Sequence, residues 1–358
     1  MEQLEKLLEE DPGSCVVINY DDESHLINSI FFQTSHMKQA YSLYPEVIIM
    51  DTTYKLCSND MPLTVFETID CYGAGRIAGY ALIRSEDKQI VSQSLKLLCS
   101  SDDAAFKNIS VIMVDKDQSE IAAIKEVAPH AEVHLCDYHV KVATEKGGKK
   151  KQPDYMEKVH PVVLKMIHAH TKEYFDKAYE QLLTVANEAV ISYFRKYWIE
   201  TELIWSDYQR NNALNLKERT TGRLESHNAK IKLLVSKKLP VAEVIFRLRL
   251  LNKFKDMDND YKNFLNAAKS KYHKYSKDAV IQKIVKLNTP FVAAELERHY
   301  ERSKEPPSRN IHNVSINSCD CKYFTNTMLP CSHIFRQRML EGMHSMIQDV
   351  FCILLLSK

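Results

Sequence analysis

Near its C-terminus the chain carries Cys319-Asp320-Cys321 and, nine residues later, Cys331-Ser332-His333. Three thiols and an imidazole in two tight pairs suit tetrahedral zinc. Four protein ligands leave no open position for chemistry, so the cluster points to a fold-organising metal. The other six cysteines (Cys15, Cys57, Cys71, Cys99, Cys136, Cys352) stand singly, mostly among apolar neighbours, as buried free thiols do. A disulfide is the alternative. The odd total of nine cysteines and the lack of a signal-peptide pattern weigh against it.

The 358 residues suffice for two or three domains. A hydrophobic content of 45% and a charged content of 27% fit a soluble globular chain. Net charge is only +1, so any nucleic-acid surface must be a local patch. The terminal run Val350–Leu356 is far shorter than the ~20 residues that span a bilayer, and no membrane association is expected. It reads as a packed helix or strand, or as a truncated domain end.

Apolar runs bounded by Gly, Pro and Asp predict strands at Cys15–Tyr20, Ser29–Gln33, Val47–Tyr54, Leu63–Ile69, Arg76–Ile83, Ile109–Val114 and Val133–Leu135. Helical periodicity marks Met1–Glu10, Ser35–Tyr44, Lys88–Cys99 and Ser119–Val127. Three strands of antiparallel character followed by β-α-β are the order of a ribonuclease H-like core. The pattern alone predicts α/β. From Lys141 to Lys304 the pattern is almost wholly helical, with segments at 157–168, 171–186, 188–197, 224–236, 240–257 and 277–286. Lys146–Lys151 reads as an exposed loop, and Glu305–Ser308 as a linker. The expected divisions are 1–45 as a lead-in, 46–145 as the core, 146–304 as the insertion, 305–345 as the zinc finger and 346–358 as a tail.

Asp51 and Asp115 each follow an apolar run. A carboxylate at the end of a buried strand is unfavourable unless exposed, hydrogen-bonded or bound to metal. If the two strands are neighbours the carboxylates converge, and a divalent cation resolves their repulsion. An Asp after a strand also serves as a turn residue or helix cap, and Asp70, Asp117 and Asp137 compete for the same role. Glu225 is the sole acid between Arg219 and Lys238, and it shares a helix face with Asn228. It reads equally as a metal ligand or as a first-turn Glu favoured by the helix dipole.

Val47–Lys55, Met61-Pro62-Leu63, Val114–Asp117 and Leu135–His139 together resemble the transposase domain of Mutator-like elements. Arg223-Leu224-Glu225-Ser226-His227-Asn228 is similar to that family's R-x-E-x-x-N helix, and the Cys/His cluster to the SWIM zinc finger that often follows. Animal SWIM-finger proteins derived from such transposases carry the same combination. The resemblance implies a fold, an α/β ribonuclease H-like mixed sheet with a large all-helical insertion and a small C-terminal zinc finger. It also implies a DDE-type triad at Asp51, Asp115 and Glu225, with Mg or Mn if the site is active, and structural zinc on Cys319, Cys321, Cys331 and His333. It gives Cys136 and His139 a positioning role or, less readily, metal contact. It further implies DNA or chromatin as partner and a nuclear location, for a protein that has been domesticated or is still an active strand transferase. A protein-interaction scaffold, with the zinc finger as docking module, is the third expectation. DNA contact would fall to Lys146, Lys149, Lys150 and Lys151 and to the basic helix after Glu225.

Overall fold

The computed structural model describes residues 2–53, 57–270, 278–306 and 312–342. Tyr54, Ser308 and the Val350–Leu356 run lie outside the described residues. Seven strands, β1 (Cys15–Tyr20), β2 (Ile27–Gln33), β3 (Val47–Thr53), β4 (Leu63–Ile69), β5 (Gly75–Ile83), β6 (Val111–Val114) and β7 (Glu132–Leu135), form one sheet in the order β1-β2-β5-β4-β3-β6-β7. The pairs from β1 to β3 are antiparallel, whereas β3–β6 and β6–β7 are parallel. The predicted ribonuclease H-like order is therefore present, and β1 and β2 extend it beyond β5.

Around the sheet lie α1 (Glu2–Glu10), α2 (Ser35–Leu43), α3 (Lys88–Ser100), α4 (Asp103–Lys107), α5 (Gln118–Val127) and α6 (Asp137–Lys149). The helical insertion holds α7 (His160–Ile167), α8 (Lys172–Val185), α9 (Glu188–Tyr197) and α10 (Asp207–Arg210). Then come α11 (Gly222–Leu234), α12 (Val241–Ser270), α13 (Ala279–Leu287), α14 (Pro290–Ser303), α15 (Lys322–Thr327) and α16 (Ser332–Leu340). No described helix is long and apolar enough to cross a membrane.

Side chains alternate across a strand, and each face of this sheet has its own core. On one face Ile48, Met50, Ile112 and Val114 join α3, α5 and the insertion, where Trp198 and Trp205 meet edge to face at 5.9 Å. On the other, Val47, Ile49, Val65 and Met113 join Leu224 and Ile231 of α11 and Ile245 and Leu248 of α12. Tyr80 of β5 meets His227 of α11, hydroxyl to Nε2 at 2.7 Å, inside that second core. There burial and the Lys255 and Lys230 charges hold the imidazole down at about 3, so it stays neutral. This contact fixes α11 over the sheet.

The Lys146–Lys151 segment departs from the expected loop, because α6 runs on through Gly147 and Gly148 to Lys149. The glycines are spacers. A Cβ on Gly148 would collide with the ring of Tyr155, and one on Gly147 with that of Tyr193. Gly is unfavourable inside a helix by roughly 0.5–1 kcal/mol relative to Ala. The close seating of two tyrosines offsets that cost, which the local composition does not reveal.

Candidate active site and zinc centre

The register of β3 on β6 builds the acidic site. Val47, Ile48 and Ile49 pair with Val111, Ile112 and Met113. Continued by two residues, the same offset sets Asp51 beside Asp115. By alternation both lie on the face of Ile49 and Met113, the face that α11 covers. Neighbouring strands are about 4.8 Å apart, so the carboxylates converge at the end of the parallel pair. The N-cap and first two turns of α11 supply the remaining groups. Asn228 donates through Nδ2 to Asp51 Oδ2 at 2.7 Å. Thr221 Oγ1 stands 3.3 Å from Asp115 Oδ1 and 3.4 Å from Glu225 Oε1.

His139, in the first turn of α6, lies between two of the acids. Its Nδ1 is 2.7 Å from Asp115 Oδ1 and its Nε2 is 3.5 Å from Glu225 Oε1. The shorter contact is an ion-pair approach without hydrogen-bond alignment, so Nδ1 is left with no hydrogen bond. Cys136 is fully buried and accepts the backbone N–H of Thr221 at 3.4 Å. The C-x-x-H pair thus orients the start of α11, and the Asp115, Cys136 and His139 ligand atoms lie within 4.8 Å of one another.

The competing acids have other duties. Asp117 caps α5, accepting from Ser119 and Glu120 N–H. Asp70 closes a turn, accepting from Tyr72 and Ala74 N–H. Asp137 pairs with buried Arg210 and with Arg219. Arg219, read from sequence as a cation near the third acid, is held instead by Asp137 and by Asp207, the latter at 2.6 Å.

A cleft of about 380 Å³ opens at these groups, lined by Asp51, Asp115, His139, Glu120, Lys116 and Lys146 among others. Glu120 escaped the sequence reading. It sits three residues after the Asp117 cap, where a capping-box Glu is ordinary, yet tertiary packing buries it beside Thr52, whose hydroxyl donates to it at 3.0 Å. Burial pushes its carboxyl well above the usual range, reinforced by the Asp51 charge.

Burial also raises Asp51, against the opposing pull of His139 and Asn228. Asp115 is pushed up to about 6 by burial and then by Asp51. A raised acid contributes stability fully below its unfolded value of 3.8 and loses that contribution as pH rises through about 6. Asp115→Asn, which mimics the protonated form, is therefore expected to stabilise the fold by about 2 kcal/mol near neutral pH and by almost nothing below about pH 4. Urea unfolding at the two pH values checks this; a variant less stable than the parent at both would contradict it.

The donor set fits a hard divalent cation. Burial opposes the ionisation of Asp51 and Asp115, Asp51 raises Asp115 further, Glu225 stands 3.5 Å from the His139 imidazole, and the buried Asn228 Oδ1 is without a hydrogen-bond partner.

The Cys/His cluster is assembled from two helix starts. Cys321 caps α15 and Cys331 caps α16, where the helix dipole favours thiolate. Cys319 is placed by its bridge to Val314 and accepts the Cys321 N–H at 3.4 Å. His333 Nδ1 lies 3.6 Å from both Cys319 and Cys331 Sγ. Zinc bonds of about 2.3 Å to sulfur and 2.0 Å to nitrogen give a tetrahedral edge of about 3.5 Å. All four ligand atoms fall within 4.8 Å of one another, so donor type and spacing both fit tetrahedral zinc.

This unit is tied to the segment that leads into the acidic cleft. Asn326 of α15 donates to the carbonyls of Arg210 and Ala213, and its own carbonyl accepts from Leu216 N–H at 2.8 Å.

Residues 5–134 match the family model described as the zinc finger SWIM domain-containing protein 1/3 RNaseH-like domain. The chain is 20% identical over 220 residues to the mouse uncharacterized protein ZSWIM9, covering 60% of this chain and 48% of that protein. It is 21% identical over 140 residues to the Arabidopsis thaliana protein FAR-RED IMPAIRED RESPONSE 1, covering 39% of this chain and 17% of that protein. The chain thus spans less than half the length of either relative. Residues 5–134 thus carry a ribonuclease H-like domain similar to that of the zinc finger SWIM domain-containing proteins, and a C-terminal Cys/His unit able to hold zinc follows it.

Proposed function

We propose that this protein binds DNA in the nucleus, alone or with chromatin partners, with zinc on Cys319, Cys321, Cys331 and His333 organising its C-terminal unit. DNA would run over the acidic cleft, its phosphate backbone met by a Mg or Mn ion on Asp51, Asp115 and Glu225. The observation that carries this reading is a cleft lined by Asp51, Asp115 and His139, with Glu225 3.5 Å from that imidazole and lysines nearby. Lys146 lines the cleft, and the Lys232 charge acts on Asp51. Lys230, Lys237 and Lys238 are exposed on and just beyond α11. Such contacts go to phosphates and do not read sequence.

The same cleft favours a second reading, a DDE-type nuclease or strand transferase. A bound divalent cation supplies Lewis-acid stabilisation of the attacking and leaving oxygens of a phosphodiester. Within the chain, Asp51, Asp115 and Glu225 would hold the cation, Asn228 would fix Asp51, and His139 would hold Asp115 and Glu225 in register. A domesticated protein would keep the binding and have lost or left unused the cleavage.

Salt-dependent binding to duplex DNA, together with Mg- or Mn-dependent cleavage, tests both. Lys146→Glu with Lys232→Glu is expected to weaken binding about tenfold or more at low salt. Asp51→Asn is expected to abolish any cleavage while DNA remains bound. Binding indifferent to the lysine changes would overturn the first reading. Cleavage surviving Asp51→Asn would overturn the second.

A further inference from the structure

Helix α12 presents its faces in the reverse of the usual order. Beyond Leu248 its inward side is polar: Asn252, Asp256 and Asn259 are buried. They are held by polar contacts, Asn252 to Asp256 at 2.8 Å and Arg76 to Asp256 at 3.8 Å, while Lys255 reaches buried Glu67 at 2.8 Å. The outward side carries Phe246, Leu250, Phe254, Met257, Tyr261 and Phe264, exposed by 40, 42, 59, 58, 60 and 68%. From Leu250 onward the steps are four, three, four and three residues. That is the a/d rhythm of a helix seam rather than the scatter of single surface apolar residues.

We propose that α12 pairs antiparallel with the α12 of a second copy of this chain. Phe246 to Phe264 spans about 27 Å of helix, and six such side chains cover roughly 600 Å² per copy. Two copies would bury about 1,200 Å², the lower bound of a stable specific interface. In a two-fold antiparallel pair, Phe254 of each copy meets Met257 of the other, and Leu250 meets Tyr261. Along one flank, Lys253 of each copy then falls opposite Asp260 of the other, twice by symmetry. Lys253 is exposed, and Asp260 has only a loose 3.7 Å approach from Arg76. The other flank is already neutralised within the helix, Arg247 by Glu243 and Asp258 by Lys262. Charge on this face is therefore complementary to itself in this one orientation.

Light scattering and sedimentation of the full chain test the proposal. The parent is expected to be a dimer at micromolar concentration, and Phe254→Glu with Tyr261→Glu to be a monomer of unchanged helical circular dichroism. Lys253→Asp should weaken the dimer several-fold, and adding Asp260→Lys should restore it. A monomeric parent would overturn the proposal, as would a dimer indifferent to these substitutions. So would a monomer that dimerises only when residues 343–358 are removed, since the chain's own C-terminal segment would then occupy the stripe.

Discussion

Cys331→Ser is expected to abolish stoichiometric zinc binding and to unfold residues 312–342 without dismantling the sheet. Cys331 is 1% exposed at the start of α16, beside Ile334 and Phe324 in a small cluster whose other buried members are Cys319 and Cys321. Phe335 of α16 packs separately, against Leu296 and Tyr300 of α14, so around the thiols themselves a bound metal would supply most of the stabilisation. Structural zinc contributes on the order of 10 kcal/mol to folding in small metal-dependent units. Metal analysis of purified protein should give one zinc per chain for the parent and none for the variant. Limited proteolysis should cut the variant within the C-terminal unit first, and chelation of the parent should reproduce that pattern. Unchanged metal content in the variant would remove the zinc assignment.

Asp137→Ala is expected to lower stability by about 3–5 kcal/mol, since removing one member of a buried ion pair strands the other. Arg210 is 2% exposed, and Asp137 is its ion-pair partner; its Nε and a second terminal nitrogen already lack hydrogen bonds. Arg219 Nε also donates to Asp137, at 2.8 Å. The pair Asp137→Leu with Arg210→Met should cost much less than the single change, because apolar replacement of both partners removes the desolvation penalty as well. Urea unfolding midpoints distinguish these outcomes. A double variant as unstable as Asp137→Ala would mean that the pair acts chiefly by positioning α6 and the segment before α11.

The strands were legible because their signals are local. Val47–Met50 and Val111–Val114 are continuous apolar runs, as parallel strands buried on both faces require, and Asp51 and Asp115 stand out against them. Their adjacency follows from the pairing of β3 with β6, and the order of the predicted elements already suggested it. The joining of β1 and β2 to the same sheet was not legible, since pairing with β5 depends on a partner some fifty residues away. Nor was the fate of Arg219, whose two carboxylate partners are 82 and 12 residues distant. Helix α12 was predicted over 240–257 and runs from Val241 to Ser270. Its mixed periodicity hid the continuation, because the apolar stripe faces out while a polar stripe faces the protein.

Asn326 has a consequence for anyone who would dissect this protein. Its carboxamide and carbonyl close the hydrogen bonding of the segment between α10 and α11, which ends at Thr221 beside Asp115 and Glu225. The zinc unit and the acidic cleft are therefore not interchangeable cassettes. A truncation stopping after α14 would take the Asn326 partner from the Ala213 carbonyl and the Leu216 N–H, and the loop that launches Glu225 would lose its template. A soft metal on sulfur and a hard one on oxygen would share one mechanical frame, so a reagent that strips the first would disturb the seat of the second.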